Sequence, residues 1–416
     1  MEKSTTNKLF TNTLIQSGGK IISALIGFIT VYFLTRYLGV NGYGEFTLVF
    51  AYLTMFGVIS DFGLHLSMIK ELATFKGKKD EIIGTYFTLR FALVVFSTLL
   101  AIICLLFIPY SSEIKLAIII ASIGVNAGVI SGFSNAIFQS DLRIDLITLI
   151  DLIGKIVTIL CIGLFILIGR NFYFIISTVL VGNVVMLVLS ILFLKEQEKL
   201  FIGFNKNIAI KLLRVSVPIG ITSFFSLLYF KIDIFMLSIF TNTSEVGLYG
   251  VAYKMFENIL MLWGFYMASA YPILSSKINN NKDFNQFIRK NIKTAIGGSI
   301  IVVAFFYFLS PYFIKYLAGN SFLLSVASLK ILLLSTPFFF LNNIFYHIFL
   351  LRNKMWILVR VFIVSLFLNV VLNLVVIPKY SFIGTSYTTL LTEIFIFCCY
   401  ILLFTKYIKK IWVKNY

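Results

Sequence analysis

The sequence predicts an all-α integral membrane protein: twelve transmembrane helices in two six-helix lobes, related by a pseudo-two-fold axis along the membrane normal, around a central cationic cavity. Three observations predict it. Of 416 residues, 59% are hydrophobic and 12% charged, and the mean hydropathy is +0.98, which leaves too few polar side chains to cover a soluble surface. Twelve stretches are long and apolar enough to cross a hydrocarbon layer, which takes about 20 residues because every backbone polar group must be paired inside the segment. The 35 Lys and Arg fall in alternate connections, the pattern that orients a membrane protein.

In chain order the spans run from Thr13 to Leu38, Glu45 to Met68, Ile83 to Ile108, Ile114 to Phe138, Ile144 to Ile168, Phe172 to Leu194, Val215 to Phe240, Val246 to Leu274, Ala295 to Leu317, Ser321 to Leu351, Trp356 to Ile377 and Phe382 to Thr405. Met1 to Asn12 is polar and the first apolar run is too long for a signal-peptide core, so it reads as an uncleaved first span. With the N-terminus inside, the inner segments hold 23 of the 35 bases, the outer loops hold five (Arg36, Lys115, Arg170, Lys315, Lys379) and seven lie within spans. Nine acids fall inside, three outside and five within spans, so the net charge of +18 divides into +14, +2 and +2. Most of it is therefore an orientation signal with both termini cytoplasmic, and nucleic acid is not an expected partner, because that needs a basic patch on an accessible face.

The longest connections, Lys195 to Arg214 and Ser275 to Thr294, leave no room for a folded soluble domain. The first of them divides the chain into an N-terminal lobe, 1–200, and a C-terminal lobe, 201–416. Two echoes support an internal repeat. Pro109-Tyr110 with Lys115-Leu116-Ala117 closes span three as Pro311-Tyr312 with Lys315 and Leu317-Ala318 closes span nine; Gly42-Tyr43-Gly44 opens span two as Gly247-Leu248-Tyr249-Gly250 opens span eight. Six spans per copy is an even number, so both copies share one orientation. Pro109, Pro311 and Pro378 end spans, whereas Pro218, Pro272 and Pro337 fall within or near the ends of spans and are kink or hinge positions. Cys104, Cys161, Cys398 and Cys399 lie in spans as small apolar residues. His65 and His347 stand near span ends in no metal-ligand or His-Glu-x-x-His arrangement, and no cofactor is expected.

Ionisable side chains within spans are costly and are candidates for function. The bases are Lys20, Arg90, Lys155, Lys231, Lys254, Lys330 and Arg360; the acids are Asp61, Asp151, Asp233, Glu257 and Glu393. Arg360 is close enough to a boundary to snorkel. Asp151 and Lys155 are four apart, and Lys254 and Glu257 three apart, so each pair shares a helix face; such pairs either let a helix insert or line the cavity. Lys231 and Asp233 are two apart and cannot meet on one face, and Glu393 has no neighbour on its own helix. Seven bases to five acids makes a cationic, hydrated cavity suited to an anionic cargo such as a phosphate or pyrophosphate head group. The substrate-binding candidates are Lys20, Arg90, Lys155, Lys231, Lys254 and Lys330; the acids Asp61, Asp151, Asp233, Glu257 and Glu393 are the candidates for ion coupling.

Ser17-Gly18-Gly19-Lys20, Arg36-Tyr37-Leu38-Gly39, Gly42-Tyr43-Gly44 and Ser60-Asp61-Phe62-Gly63-Leu64 resemble the opening of polysaccharide-export flippases of the O-antigen (Wzx) type. Gly247-Leu248-Tyr249-Gly250-Val251-Ala252-Tyr253-Lys254 resembles their eighth span. These flippases share one superfamily of two-lobed transporters with the lipid II flippases and the multidrug and toxin extruders. The lipid II branch usually has two more C-terminal spans, so twelve favours the polysaccharide branch. The resemblance implies inner-to-outer-leaflet movement of an undecaprenyl-pyrophosphate-linked oligosaccharide, for O-antigen and lipopolysaccharide biosynthesis, across the cell inner membrane by alternating access. It implies that Lys20 and the Lys254/Glu257 pair line the cavity, that a proton or sodium gradient drives the cycle, and that a polysaccharide polymerase and a chain-length regulator are partners. The rivals are a drug or metabolite extruder of the same superfamily, with a more acidic or neutral cavity, and a membrane polymerase or acyltransferase. Polymerases of this pathway carry a large outer loop with functional Arg, which this sequence lacks.

Overall fold

The computed structural model describes residues 2–74, 79–195, 203–278 and 280–406. Residues 75–78, the middle of the first long connection and residues 407–416, with six of the bases counted above (Lys76, Lys78, Lys199, Lys409, Lys410 and Lys414), lie outside the described residues. All regular structure among the described residues is helical. In order the helices are α1 (Glu2–Asp61), α2 (Leu64–Thr74), α3 (Lys79–Phe107), α4 (Ser112–Ser140), α5 (Ile144–Leu167), α6 (Phe172–Lys195), α7 (Lys206–Phe240), α8 (Thr243–Ser276), α9 (Asn281–Ala318), α10 (Ser325–Leu334), α11 (Thr336–Leu351) and α12 (Met355–Phe404).

Two of these are too long for one crossing. Sixty residues of straight helix would reach about 90 Å, three times the hydrocarbon thickness, and α1 is broken at Gly39, whose φ of 65° lies where a side chain is strained. Spans one and two therefore lie on either side of Gly39. Likewise α12 breaks at Ser381 (φ 49°), between spans eleven and twelve. Span ten is α10 plus α11, bent by 44° where Pro337 opens α11. With nine helices long and apolar enough to cross, two of them doubled and the bent pair counted once, twelve spans are present among the described residues. Pro311 and Pro378, expected at span ends, lie inside helices: α9 runs on to Ala318 and α12 to its break at Ser381.

The chain forms two compact units, one of Met1–Leu38 with Glu45–Leu227 and one of Gly39–Gly44 with Leu228–Tyr416. In the first, Leu64, Met68, Ile82, Tyr86, Phe133, Phe138 and Leu146 build a buried cluster that takes in Ile208 and Leu212 from the start of α7. In the second, Trp263 of α8 stacks on Phe340 of α11 with ring centroids 4.6 Å apart, and Phe345 and Phe349 pack on Tyr400. Phe107, Leu160, Leu167, Ile301 and Phe308 are exposed, as side chains facing hydrocarbon must be.

The packing repeats between the two units. Span four packs on spans two, three and six; span ten packs on spans eight, nine and twelve. Within the second unit, the opening of span two meets the opening of span eight backbone to backbone. A Cβ on Gly44 would fall 1.8 Å from the Thr243 carbonyl oxygen, a Cβ on Gly247 would fall 2.3 Å from that of Val40, and Ser244 donates to Asn41. Under a shift of 203 residues the first two contacts exchange and the third maps onto itself, as contacts about a local two-fold axis do. The glycines of the repeated motif are there because two helix backbones touch.

Candidate functional site

In the first unit Arg90 is held on every side. Its Nη1 donates to Asp61 at the end of α1 (2.7 Å) and to the Tyr86 hydroxyl one turn earlier on α3 (2.8 Å), and its Nε donates to the Val129 carbonyl of α4 (3.0 Å). Its side chain is only 7% exposed. A guanidinium fixed in this way ties three helices together and has little left to offer a ligand. Asp151 and Lys155 form their expected pair on α5 at 2.8 Å, and Ser23 of α1 donates to Asp151 at 2.9 Å. Lys20, one turn before Ser23, is exposed and makes no hydrogen bond or ion pair among the described residues. Gly19 beside it lets α1 lie against Thr148 of α5.

The second unit holds a charge triad. Lys231 of α7 donates to Glu257 Oε1 at 2.6 Å, and Lys254 of α8 reaches Oε2 at 3.4 Å. Lys231 also stands 5.3 Å from the Tyr253 ring centroid. Two ammoniums on one carboxylate leave a net positive charge, with Lys254 about half exposed. Sequence spacing identifies the Lys254 partner but not Lys231, which sits 26 residues away on another helix. Lys330 of α10 packs over Tyr307 of α9 at 4.7 Å from the ring centroid.

The other two acids of this unit are buried among neutral donors. Asp233 accepts from Asn373 at 2.7 Å on Oδ1, and from Thr389 at 2.7 Å and Tyr249 at 3.2 Å on Oδ2. Asn373 also donates to Asn369 Oδ1 at 2.9 Å, while its own Oδ1 is buried with no hydrogen-bond partner among the described residues. Glu393 accepts from Tyr229 at 2.9 Å and from Asn342 at 2.8 Å, and that amide also donates to the Glu393 carbonyl at 3.0 Å. Among the described residues neither carboxylate has a Lys or Arg within salt-bridge distance. Sequence reasoning missed Tyr229, Tyr249, Asn342, Asn369, Asn373 and Thr389 because they carry no charge; the signal that was available is the Asn369-x-x-x-Asn373 face within an otherwise apolar span. The clustered oxygens around Asp233 suit a proton or a hard alkali cation rather than a transition metal. His65 pairs with Gln139 and His347 with the Asn343 carbonyl, and no group of three His, Cys, Asp or Glu that could hold a metal ion occurs among the described residues.

Residues 9–278 match the family described as polysaccharide biosynthesis protein, and residues 218–375 match the family described as MatE. An uncharacterized membrane protein of Methanocaldococcus jannaschii is 25% identical over 290 residues, covering 66% of this chain and 68% of its own. Among solved structures, the lipid II flippase MurJ in an inward closed conformation is similar with a TM-score of 0.79 at 17% identity, over 94% of this chain and 87% of that one. An inward-facing multidrug resistance transporter of the MATE family and MOP superfamily gives 0.77 at 14% identity, over 91% and 93%. A MOP superfamily transporter from Pyrococcus furiosus, described by its reverse polarity of binding pocket, gives 0.67 at 16% identity, over 96% and 95%. The two-lobed, twelve-helix transporter fold expected from the sequence is thus the fold found.

Proposed function

Because this chain belongs to the family of polysaccharide biosynthesis proteins, we propose that it is a flippase that carries undecaprenyl-pyrophosphate-linked oligosaccharide repeat units, of O-antigen or a related surface polysaccharide, to the outer leaflet of the cell inner membrane. The six-and-six division near residue 200, cytoplasmic termini and partnership with a polymerase and a chain-length regulator belong to the same reading. The observation that carries it is the surplus of cation at the membrane charges: among the described residues Lys20 has no acid to answer it, and Lys231 and Lys254 share one carboxylate. A pyrophosphate supplies the charge and acceptor oxygens that ammonium groups bind. Its outward movement is helped by an inside-negative potential at roughly 2.3 kcal/mol per charge per 100 mV.

The cation that resets the cycle binds at Asp233, where three neutral donors hold the carboxylate and Asn369, Asn373 and Thr389 add oxygens to which sodium can bind in their place. Arg90 with Asp61 is read as a pair that holds helices together, and Asp151 as the acid that neutralises Lys155 on its own helix while accepting from Ser23 of α1. A second reading, extrusion of cationic drugs or metabolites, draws on the MatE match and the buried acids of the second unit. The cationic surplus favours the first. Replacing Lys20 or Lys254 by Gln is expected to abolish surface polysaccharide at normal protein level, with lipid-linked repeat units accumulating on the inner leaflet; undiminished polysaccharide in both variants refutes the assignment.

A further inference from the structure

Tyr229 and Asp233 stand four apart on α7, and Thr389 and Glu393 stand four apart on the last span of α12. Tyr229 bonds Glu393 and Thr389 bonds Asp233, so the two helices are joined by two rungs one turn apart. Each rung holds a buried carboxylate, one from each helix. On the reading of Asp233 as the cation site, we infer that Glu393 is a proton-binding site and that its proton leaves when a cation occupies Asp233.

An isolated carboxylate in a water-free interior is costly, and a second one a helical turn away raises that cost, so the two cannot both be ionised and empty at once. Asp233 has a cage of oxygens for a cation; Glu393 has two donors and no comparable set. Both partners of Glu393 serve either charge state. A tyrosine hydroxyl donates to the carboxylate or accepts from the acid, and the Asn342 amide can turn over so that its Oδ1, buried and without a hydrogen-bond partner among the described residues, receives the acid proton. The titratable groups that face Glu393 are Tyr229 of α7, Tyr253 of α8 and Tyr400 of its own helix, Asn342 of α11 completes the surround, and Asp233 stands one turn along α7 from Tyr229. Of these only Asp233 is a second carboxyl group. Asp233 is therefore the charge that Glu393 answers to: a cation there cancels it and favours ionised Glu393, and by reciprocity a proton on Glu393 weakens cation binding.

Infrared difference spectra of the purified protein, with sodium chloride exchanged against choline chloride at constant pH, test this. In the wild type, sodium is expected to remove a carbonyl stretch of a protonated carboxylic acid. Glu393→Gln is expected to lack the band, and Asp233→Asn, which removes the charge that keeps Glu393 protonated, to lack it with or without sodium. A wild-type band that sodium leaves unchanged, or one that persists in Glu393→Gln, overturns the inference. If Glu393→Gln does not fold, Tyr229→Phe carries the test: with one donor to the carboxylate gone, the band should persist to a pH higher by roughly one unit or more, and an unmoved band is the contrary result. No translocation is involved, so a sodium-responsive band in a protein that moves no lipid-linked sugar counts against the flippase reading alone.

Discussion

Lys231 donates to Glu257 at 2.6 Å, a shorter bond than the 3.4 Å one from Lys254, the residue with which Glu257 shares a helix face. The pair links α7 to α8 and is more buried than the Lys254 contact. Glu257→Gln, which leaves two ammoniums without a counter-ion, is expected to lower stability by about 1–3 kcal/mol. Lys254→Met, at a half-exposed position, should change it by about 0.5 kcal/mol or less. Thermal unfolding in detergent compares them, and equal losses contradict the assignment.

Arg90 and Asp61 form the most enclosed ion pair of the first unit among the described residues. Arg90→Lys keeps the charge but loses the fork that reaches Asp61, Tyr86 and Val129, and is expected to cost about 2–4 kcal/mol. Arg90→Met with Asp61→Leu should recover much of that loss, because neither charge is then left buried alone. A folded, stable Arg90→Lys protein with impaired substrate binding would show instead that Arg90 touches the cargo.

Gly247 is expected to tolerate no side chain. Its Cβ would meet a backbone oxygen that cannot swing aside, so Gly247→Ala should destabilise by about 1–3 kcal/mol. Gly27, with nothing within 4 Å of its Cβ position, is the control: Gly27→Ala should be neutral or stabilising by about 0.5–1 kcal/mol. The same thermal measurement applies, and matched behaviour of the two variants would reject the close contact.

Sodium binding to the purified protein, followed by isothermal calorimetry, is expected to disappear in Asp233→Asn. Thr389→Val, which removes one hydroxyl from the Asp233 surround, should weaken it roughly tenfold or more. Binding that survives Asp233→Asn unchanged places the cation elsewhere.

Much of the fold is legible in the sequence because the membrane imposes it. Backbone pairing fixes span length, so twelve apolar runs give twelve spans, and Gly39 and Ser381 are breaks of the kind that two spans within one long helix require. The sites are legible only in part, for two physical reasons. Spacing along a helix reveals partners on one face, such as Asp151 with Lys155, but not partners brought together by packing, such as Lys231 with Glu257 or Asp61 with Arg90. Neutral donors escape a search for charge: Tyr229, Asn342, Asn373 and Thr389 become visible once the carboxylates they hold, Asp233 and Glu393, are located. Gly44 and Gly247 show the converse, a motif visible in the sequence whose reason is a backbone contact.

The most direct measurement of the central claim uses proteoliposomes of purified protein loaded with undecaprenyl-pyrophosphate-linked oligosaccharide, with the sugar on the far leaflet detected by a membrane-impermeant glycosidase. Wild-type protein is expected to make the sugar accessible at a rate well above protein-free vesicles, and Lys20→Gln and Lys254→Gln to reduce it to that background. Equal accessibility with and without the wild-type protein, or full activity in both variants, contradicts the account.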